Sequence, residues 1–215
     1  MDFDLLYSGQ LHSAGRRSEK HQIRKVFHAQ LRRLWDSHPN LKQLCEFTGN
    51  RAFENRFRNI ESVLNPPPEQ SGEKMRALGL HHLSENWNRN GFRFLPLVTG
   101  QLCLRCSLEI LFLRREERNY ILQSGDIDGR IKTLFDALRI INTGEELPPG
   151  AAPEADEDPF FCLLEDDNLI SEVHIKTGQL LMLPESKVAD KHDVYLQISV
   201  RLNTTRPVRD AWPFD

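Results

Sequence analysis

The sequence predicts an α+β fold, a small mixed sheet with flanking helices and a helical insertion. Three observations support this prediction. Apolar residues alternate with other residues over residues 102–112, which is typical of a strand with one buried face. Apolar residues recur at three- and four-residue spacing in the segments near residues 23–34 and 131–141, which is typical of amphipathic helices. Strand and helix patterns follow one another along the chain, so we expect them to share one core.

The first half of the chain predicts one strand followed by a helical region. Alternating apolar residues at positions 3, 5 and 7 indicate a short strand that ends near Gly9. A helix opens at Ser18 and carries basic residues on its outer faces. A second helical stretch, from Pro39 to about Leu64, is expected to break around Gly49 before a run of prolines. We assign about residues 38–90 to the helical insertion.

The second half predicts a strand, a helix, an acidic loop and two closing strands. The long strand at 102–112 is followed by a helix from Ile131 to Ile141. About residues 144–160 form an acidic, proline-bearing loop that is expected to be too polar to pack. One closing strand begins near Val173 and extends towards Leu183 beyond a turn at residues 177–178, and the other covers 194–202. Residues 1–205 thus form a single domain, and 206–215 form a C-terminal tail.

Composition favours a globular protein of one domain. The chain has 215 residues, of which 39% are hydrophobic and 27% are charged. No apolar run approaches the length of about 20 residues that spans a bilayer, so we expect no membrane association. The acidic first residues are unlike a secretory signal, and the four cysteines therefore predict reduced thiols in the cytoplasm.

Charge is distributed unevenly along the chain. Residues 144–172 contain ten acidic residues and no lysine or arginine. Removing those ten charges from the net charge of −3 leaves +7 for the rest of the chain. A basic body with one acidic segment has the charges to bind a polyanion and a cation. The alternative interpretation is that solvated faces differ in sign by chance.

Two carboxylates one residue apart, Asp126 and Asp128, lie between the long strand and the following helix. In an extended turn both can converge on a hard cation, since Mg²⁺ prefers oxygen ligands. Lys132 lies four residues, or one helical turn, after Asp128, where it can balance the carboxylates or meet a phosphate. The alternative is that Asp128 is a helix N-cap and Asp126 an ordinary turn residue.

A second acidic cluster, Glu165-Asp166-Asp167, is flanked by apolar residues on both sides. Carboxylates held close to apolar surface are costly unless a cation or a hydrogen-bond donor compensates them. This cluster is therefore a second candidate for cation binding. The alternative is a solvated turn.

Together the two clusters resemble the RusA-like Holliday-junction resolvases, an endodeoxyribonuclease family. That family's motif reads D-x-D-N-x-x-K-x-x-x-D-A-L and is followed by a D-D pair. The matching residues here are Asp126, Asp128, Lys132, Asp136, Ala137 and Leu138, then Asp166 and Asp167. The likeness is loose over residues 2–37 and better over residues 101–202, including the two closing strands.

The resemblance implies a Mg²⁺-dependent nuclease of DNA recombination and repair that cuts branched or structured DNA. Asp126, Asp128 and Asp167 would bind Mg²⁺ (or Mn²⁺), with Asp166 as a further ligand, and Lys132 would act on the phosphate. Symmetric cleavage of a four-way junction needs two sites, so a homodimer is implied. The basic residues of the first helix would contact the DNA backbone, namely Arg16, Arg17, Lys20, Arg24 and Arg32.

Three departures from the family pattern motivate a second hypothesis. Gly129 stands where the family usually has asparagine, the acidic loop lengthens the gap between the motifs, and the helical insertion has no counterpart in compact resolvases. The second hypothesis is an inactive RusA-like scaffold that binds nucleic acid or protein. An acidic loop near the site could repel DNA, or mimic it and hold the site closed.

Overall fold

The computed structural model describes residues 1–56, 72–114, 126–181 and 190–205, without the side chains of 53–56 and 126. Its mixed α+β architecture confirms the predicted α+β class, with two small sheets where one was predicted. The main sheet has four strands in the order β1 (Asp2–Gln10), β7 (Asp193–Thr204), β4 (Leu104–Arg114) and β6 (Ile170–Gln179). The β4–β6 pair is parallel, and the other two pairs are antiparallel. A smaller sheet has the order β2 (Asn88–Arg89), β3 (Phe92–Val98) and β5 (Phe160–Leu164).

Four α-helices are present among the described residues: α1 (Arg17–Ser37), α2 (Pro39–Arg56), α3 (Gly72–Ser84) and α4 (Asp126–Leu138). Helices α1 and α4 pack against each other over one face of the main sheet. Alternate residues of β4, such as Leu108 and Ile110, are buried beneath them, because successive strand residues point to opposite faces. The opposite face of the sheet carries polar side chains, including Asp4, Glu109 and Glu172.

The smaller sheet was not predicted, because its strands are buried on both faces. All five residues of β5 are buried, with Phe161 in the main core and Phe160 in a second apolar cluster. Strand β3 pairs with β5 in parallel and divides its side chains between the same two cores. A strand buried on both faces has a continuous apolar run instead of an alternating one. The alternation pattern therefore does not detect it.

The expected helical break near Gly49 is wrong, because α2 runs without interruption to Arg56. Gly49 and Gly79 lie where α2 and α3 cross. A Cβ at Gly49 would lie 1.9 Å from the Met75 carbonyl oxygen, and a Cβ at Gly79 would lie 1.9 Å from that of Cys45. The glycines therefore allow two helix backbones to approach closely, and they do not end the helix. The predicted extension of α2 beyond Arg56 lies outside the described residues.

Two other boundaries differ from the prediction. Helix α4 begins at Asp126 and ends at Leu138, so the D-x-D sequence forms its first turn and does not precede it. It ends early because Ile140 N–H donates to the Leu164 carbonyl oxygen and joins the chain to β5. Strand β6 runs through the turn expected at 177–178 and stays paired with β4 up to Gln179. Residues 182–183, the expected end of that strand, and the tail at 206–215 lie outside the described residues.

Residues 144–158, here called the acidic strap, pack against α1, contrary to the expectation of an unpacked loop. Leu147 is buried in the second core, and the Glu157 side chain is buried next to Lys25. The sequence is polar, but opposite charges on α1 compensate its carboxylates. The strap therefore has a defined path between α4 and β5.

No helix in the described part of the chain is both long and apolar enough to cross a membrane. The four cysteines all lie in described segments, and each is a free thiol. Cys45, Cys106 and Cys162 are buried, and burial raises the pKa of each thiol to about 12. These three are therefore protonated, unreactive core residues.

Candidate functional site

An open groove of about 400 Å³ runs between α4 and the start of β6. Its polar lining comes from Asp128 and Lys132 on α4 and from Asp167, which begins the 3₁₀ turn before β6. Its apolar lining consists of Ile127, Ile131, Phe135 and Ile175. The groove therefore combines two carboxylates and one ammonium group with an apolar wall.

Helical periodicity explains the α4 side of the groove. Residues four apart lie on neighbouring turns of one helix face, so Lys132 follows Asp128 along the same stripe. The apolar stripe of Ile127, Ile131 and Phe135 runs parallel to it, towards Ile175 of β6. Asp128 lies in the first turn of α4, where the positive end of the helix dipole stabilises a negative charge.

The groove unites three of the five residues predicted for the metal and catalytic site. Asp128, Lys132 and Asp167 line it together. Asp126 is the first residue of α4, and its side chain lies outside the described part. Asp166 is the N-cap of the 3₁₀ turn, and its Oδ1 accepts a hydrogen bond of 3.0 Å from the Asn168 N–H. Asp166 thus has a structural role next to Asp167.

The side chain of Lys132 is exposed, and no ion pair or hydrogen bond involves its ammonium group among the described residues. The next residue on the same helical stripe, Asp136, is fully engaged. Its carboxylate lies 2.6 Å from Lys20 Nζ and 3.2 Å from Arg139 Nη2. Lys132 is therefore not needed to neutralise Asp136 and is available to an incoming anion.

Asp136 is a structural residue of the motif. Its partial burial alone would raise the pKa of the carboxyl group, but Lys20 and Arg139 outweigh that effect and hold this pKa below its usual value. Arg24 Nη2 also donates to the Asp136 carbonyl oxygen at 2.8 Å. Asp136 therefore joins α4 to α1 and positions the helix that carries Asp128 and Lys132.

Gly129 is explained by the loop that follows β1. A Cβ at this position would lie 2.6 Å from the Ser13 carbonyl oxygen and 2.8 Å from the Ser13 Cβ. Gly15 N–H also donates to Thr133 Oγ1 at 3.2 Å, one turn further along α4. The loop thus rests directly on the first turns of α4. An asparagine at 129, as in the resembled family, does not fit without displacement of the loop.

A histidine pair that no sequence motif indicates lies beside this loop. The rings of His12 and His192 are 4.1 Å apart, and His12 Nδ1 lies 2.8 Å from Glu19 Oε1. Partial burial, followed by the charges of His12 and Arg130, lowers the pKa of His192. The residues are far apart in sequence and have no motif spacing, so no sequence signal could join them.

The five basic residues predicted to contact DNA do not form one exposed face. Arg16 and Arg17 are exposed at the start of α1. Lys20 is paired with Asp136, and Arg32 lies 3.7 Å from Asp156 of the acidic strap. The prediction for Arg24 is corrected: its side chain is only 1% exposed, because it points towards α4 and β5 instead of solvent.

The donor set of the groove suits a hard divalent ion, since Asp128 and Asp167 offer carboxylate oxygens. In the described part of the chain, no group of three His, Cys, Asp or Glu side chains could hold a metal ion. The third predicted ligand, Asp126, is outside that set. Comparisons with family models, with curated proteins and with solved structures gave no match to this chain.

Proposed function

We propose that this chain is a Mg²⁺-dependent endonuclease of RusA-like fold that acts on branched or structured DNA. The observation that carries the proposal is the shared groove of Asp128, Lys132 and Asp167. These residues come from two separate motifs of the resembled family, and their arrangement in one groove supports a single site. The proposal extends to Asp126, because it is the first residue of α4 and lies in the same helical turn as Asp128.

The groove residues have complementary roles in phosphodiester hydrolysis. Asp126, Asp128 and Asp167 would hold the ion, and Mn²⁺ would substitute for Mg²⁺. When bound, the ion supplies Lewis-acid activation of water and of the scissile phosphate. The Lys132 ammonium group would donate to a non-bridging phosphate oxygen, where negative charge increases as the water oxygen attacks phosphorus. The bond from phosphorus to the leaving oxygen then breaks, and the proton lost by the attacking water passes through solvent to that oxygen.

Phosphate contacts outside the groove would come from exposed cations near it. Arg16 and Arg17 are exposed at the N-terminus of α1. Because Gly15 contacts Thr133, the start of α1 lies beside α4. A DNA backbone that reaches the groove across this end of the two helices would meet these two cations. Symmetric junction cleavage further requires two such sites, so the proposed active form is a homodimer in the cytoplasm.

The alternative is a RusA-like scaffold that binds without cleaving. The acidic strap favours it, because its carboxylates pair with Lys25 and with Arg32, which is one of the residues expected to contact DNA. In this case the protein binds a structured nucleic acid or a protein partner, and Mg²⁺ has no effect on the integrity of the DNA.

A nicking assay on a synthetic four-way junction separates the two functions. The wild-type protein should cut the junction with Mg²⁺ and leave it intact with EDTA. Asp167→Asn should abolish cutting, whereas Glu172→Gln, an exposed carboxylate on the opposite face of the sheet, should leave it unchanged. Binding without any Mg²⁺-dependent cleavage of junction, flap or single-stranded substrates would favour the scaffold.

A further inference from the structure

The acidic strap lies along α1 with its carboxylates next to the helix cations. Glu154 Oε1 lies 2.5 Å and Glu157 Oε1 lies 2.9 Å from Lys25 Nζ. Asp156 Oδ2 lies 3.7 Å from Arg32 Nη1, which also donates to the Asp156 carbonyl oxygen at 3.2 Å. At the other end of the strap, Glu145 Oε2 lies 3.9 Å from Arg17 Nη2.

The cations that the strap meets share one face of α1. Lys25 and Arg32 are seven residues apart, close to two helical turns. Arg17 precedes Lys25 by eight residues and lies about 80° from it around the helix axis, so the three cations form a row on one side of α1. The spacing between neighbours in this row is about 11 Å at a rise of 1.5 Å per residue. The strap therefore supplies a row of anions to a row of cations.

The pairs differ in how firmly they are held. The carboxylate side chains of Glu145, Glu154 and Asp156 are 87%, 68% and 66% exposed. Exposed ion pairs contribute only about 0–1 kcal/mol, so a competing anion can replace these carboxylates at little cost. Glu157 is 5% exposed and accepts the Glu154 N–H as well as Lys25, so it anchors the strap.

We propose that this face of α1 is a polyanion-binding surface whose cations are occupied by the exposed carboxylates of the acidic strap in place of backbone phosphates. The partner is the backbone of a nucleic acid, whose phosphates release condensed counterions when they bind lysine and arginine. The strap remains anchored through Leu147 and Glu157, and only its three exposed carboxylates exchange. The inference rests on the DNA-binding part of the proposed function and is independent of cleavage.

The test compares two triple variants with the same change in charge. The strap variant carries Glu145→Gln, Glu154→Gln and Asp156→Asn. The control variant carries Asp4→Asn, Glu109→Gln and Glu172→Gln on the opposite face of the sheet. Binding of a short DNA duplex is measured in EDTA over a range of salt concentrations. EDTA removes the divalent ion and prevents cleavage, so the measured binding does not depend on whether the protein can cut DNA.

The strap variant should bind the duplex on the order of tenfold more tightly than wild type. The slope of log affinity against log salt concentration should be steeper by about 0.9 for each of Arg17 and Arg32, whereas Lys25 keeps its ion pair with Glu157. Addition of Arg32→Ala to the strap variant should remove one such increment. Equal gains in the strap and control variants would show a net-charge effect only and overturn the inference, as would an unchanged salt slope.

Thermal unfolding of each variant checks that the variant is folded. If the triple variant unfolds, Asp156→Asn alone tests the same claim at Arg32, because Arg32 keeps its bond to the Asp156 carbonyl oxygen. If the salt dependence of DNA binding by this variant becomes steeper by one such increment, the inference is supported. If the salt dependence is unchanged, the inference is overturned. The junction nicking assay is a separate readout, so loss of cleavage and loss of this surface are distinguishable.

Discussion

Lys20 Nζ lies 2.6 Å from Asp136 Oδ2 and joins the first helix to the helix that carries the D-x-D sequence. Asp136 belongs to the motif that resembles the resolvase family, yet it lines no part of the groove. Its carboxylate is 14% exposed and is shared by Lys20 and Arg139. The motif therefore combines residues available for chemistry with one that holds two helices together.

Asp136→Asn should lower the free energy of unfolding by about 2 kcal/mol, because two charge-assisted hydrogen bonds are weakened in a mostly buried setting. The folded-state pKa of Asp136 lies below its usual value of 3.8. Its stabilising effect is therefore fully present above that value and is lost as the pH falls through the folded-state pKa. Chemical denaturation at neutral and acidic pH should show a wild-type loss of stability in acid that is smaller in the variant. Equal acid sensitivity of the two proteins would contradict this role.

Gly129→Asn, which restores the residue usual in the resembled family, should destabilise this protein by about 1–3 kcal/mol. The new Cβ would meet the Ser13 backbone, which has to move. Gly129→Ala is the matched control, since it introduces the same Cβ without the amide, and most of the loss should already appear there. Thermal unfolding measures both variants. A stable asparagine variant would mean that the loop after β1 does not rest on α4.

Lys132→Met should keep DNA binding largely intact and reduce the cleavage rate on the order of 10²- to 10³-fold, because a donor to the transition state is lost. Lys132→Arg should restore only part of the rate, since a planar guanidinium does not reproduce the compact ammonium group. Single-turnover kinetics on a junction measure the chemical step. A loss of binding without loss of the bound-state rate would make Lys132 a docking residue.

Arg24→Glu should affect stability, whereas Arg16→Glu should affect DNA binding. Arg24 is buried beside Asp136, so its reversal should cost about 3 kcal/mol of stability through an uncompensated buried charge. Arg16 is exposed, and reversal of its charge should leave stability unchanged. It should reduce the slope of the logarithm of the DNA-binding constant against the logarithm of salt concentration by about 0.9. Equilibrium unfolding and salt-dependent binding separate the two. A stable Arg24→Glu protein with weakened DNA binding would contradict the burial of Arg24 and place its side chain on the DNA-binding surface.

Periodicity predicted the elements with one buried face, and missed those buried on both. Strand β4 and helix α1 carry clear periods of two and three to four residues, because one side of each meets the core and the other meets solvent. Strands β3 and β5 lie between two cores and lack that contrast. The expected helix break at Gly49 is wrong for a similar reason. This glycine allows a close backbone contact with α3, which sequence spacing does not encode.

The candidate site was predictable where its residues share a helix, and unpredictable where tertiary packing decides. The spacing of Asp128 and Lys132 defines one stripe of α4 without any knowledge of the fold. The fate of Arg24 depends on which face of α1 meets α4, which its sequence neighbours do not reveal. The pairing of the acidic strap with α1 likewise joins segments that are distant in sequence, so charge counting detected both segments but not their contact.

The central claim is that Asp128 and Asp167 act on one divalent ion in the groove. Mn²⁺ binding, followed by electron paramagnetic resonance of the free ion, tests it most directly without any assumption about the substrate. Wild-type protein should bind Mn²⁺, and Asp128→Asn and Asp167→Asn should each weaken binding at least on the order of tenfold, while Glu172→Gln should bind like wild type. Wild-type affinity in both groove variants would contradict the claim.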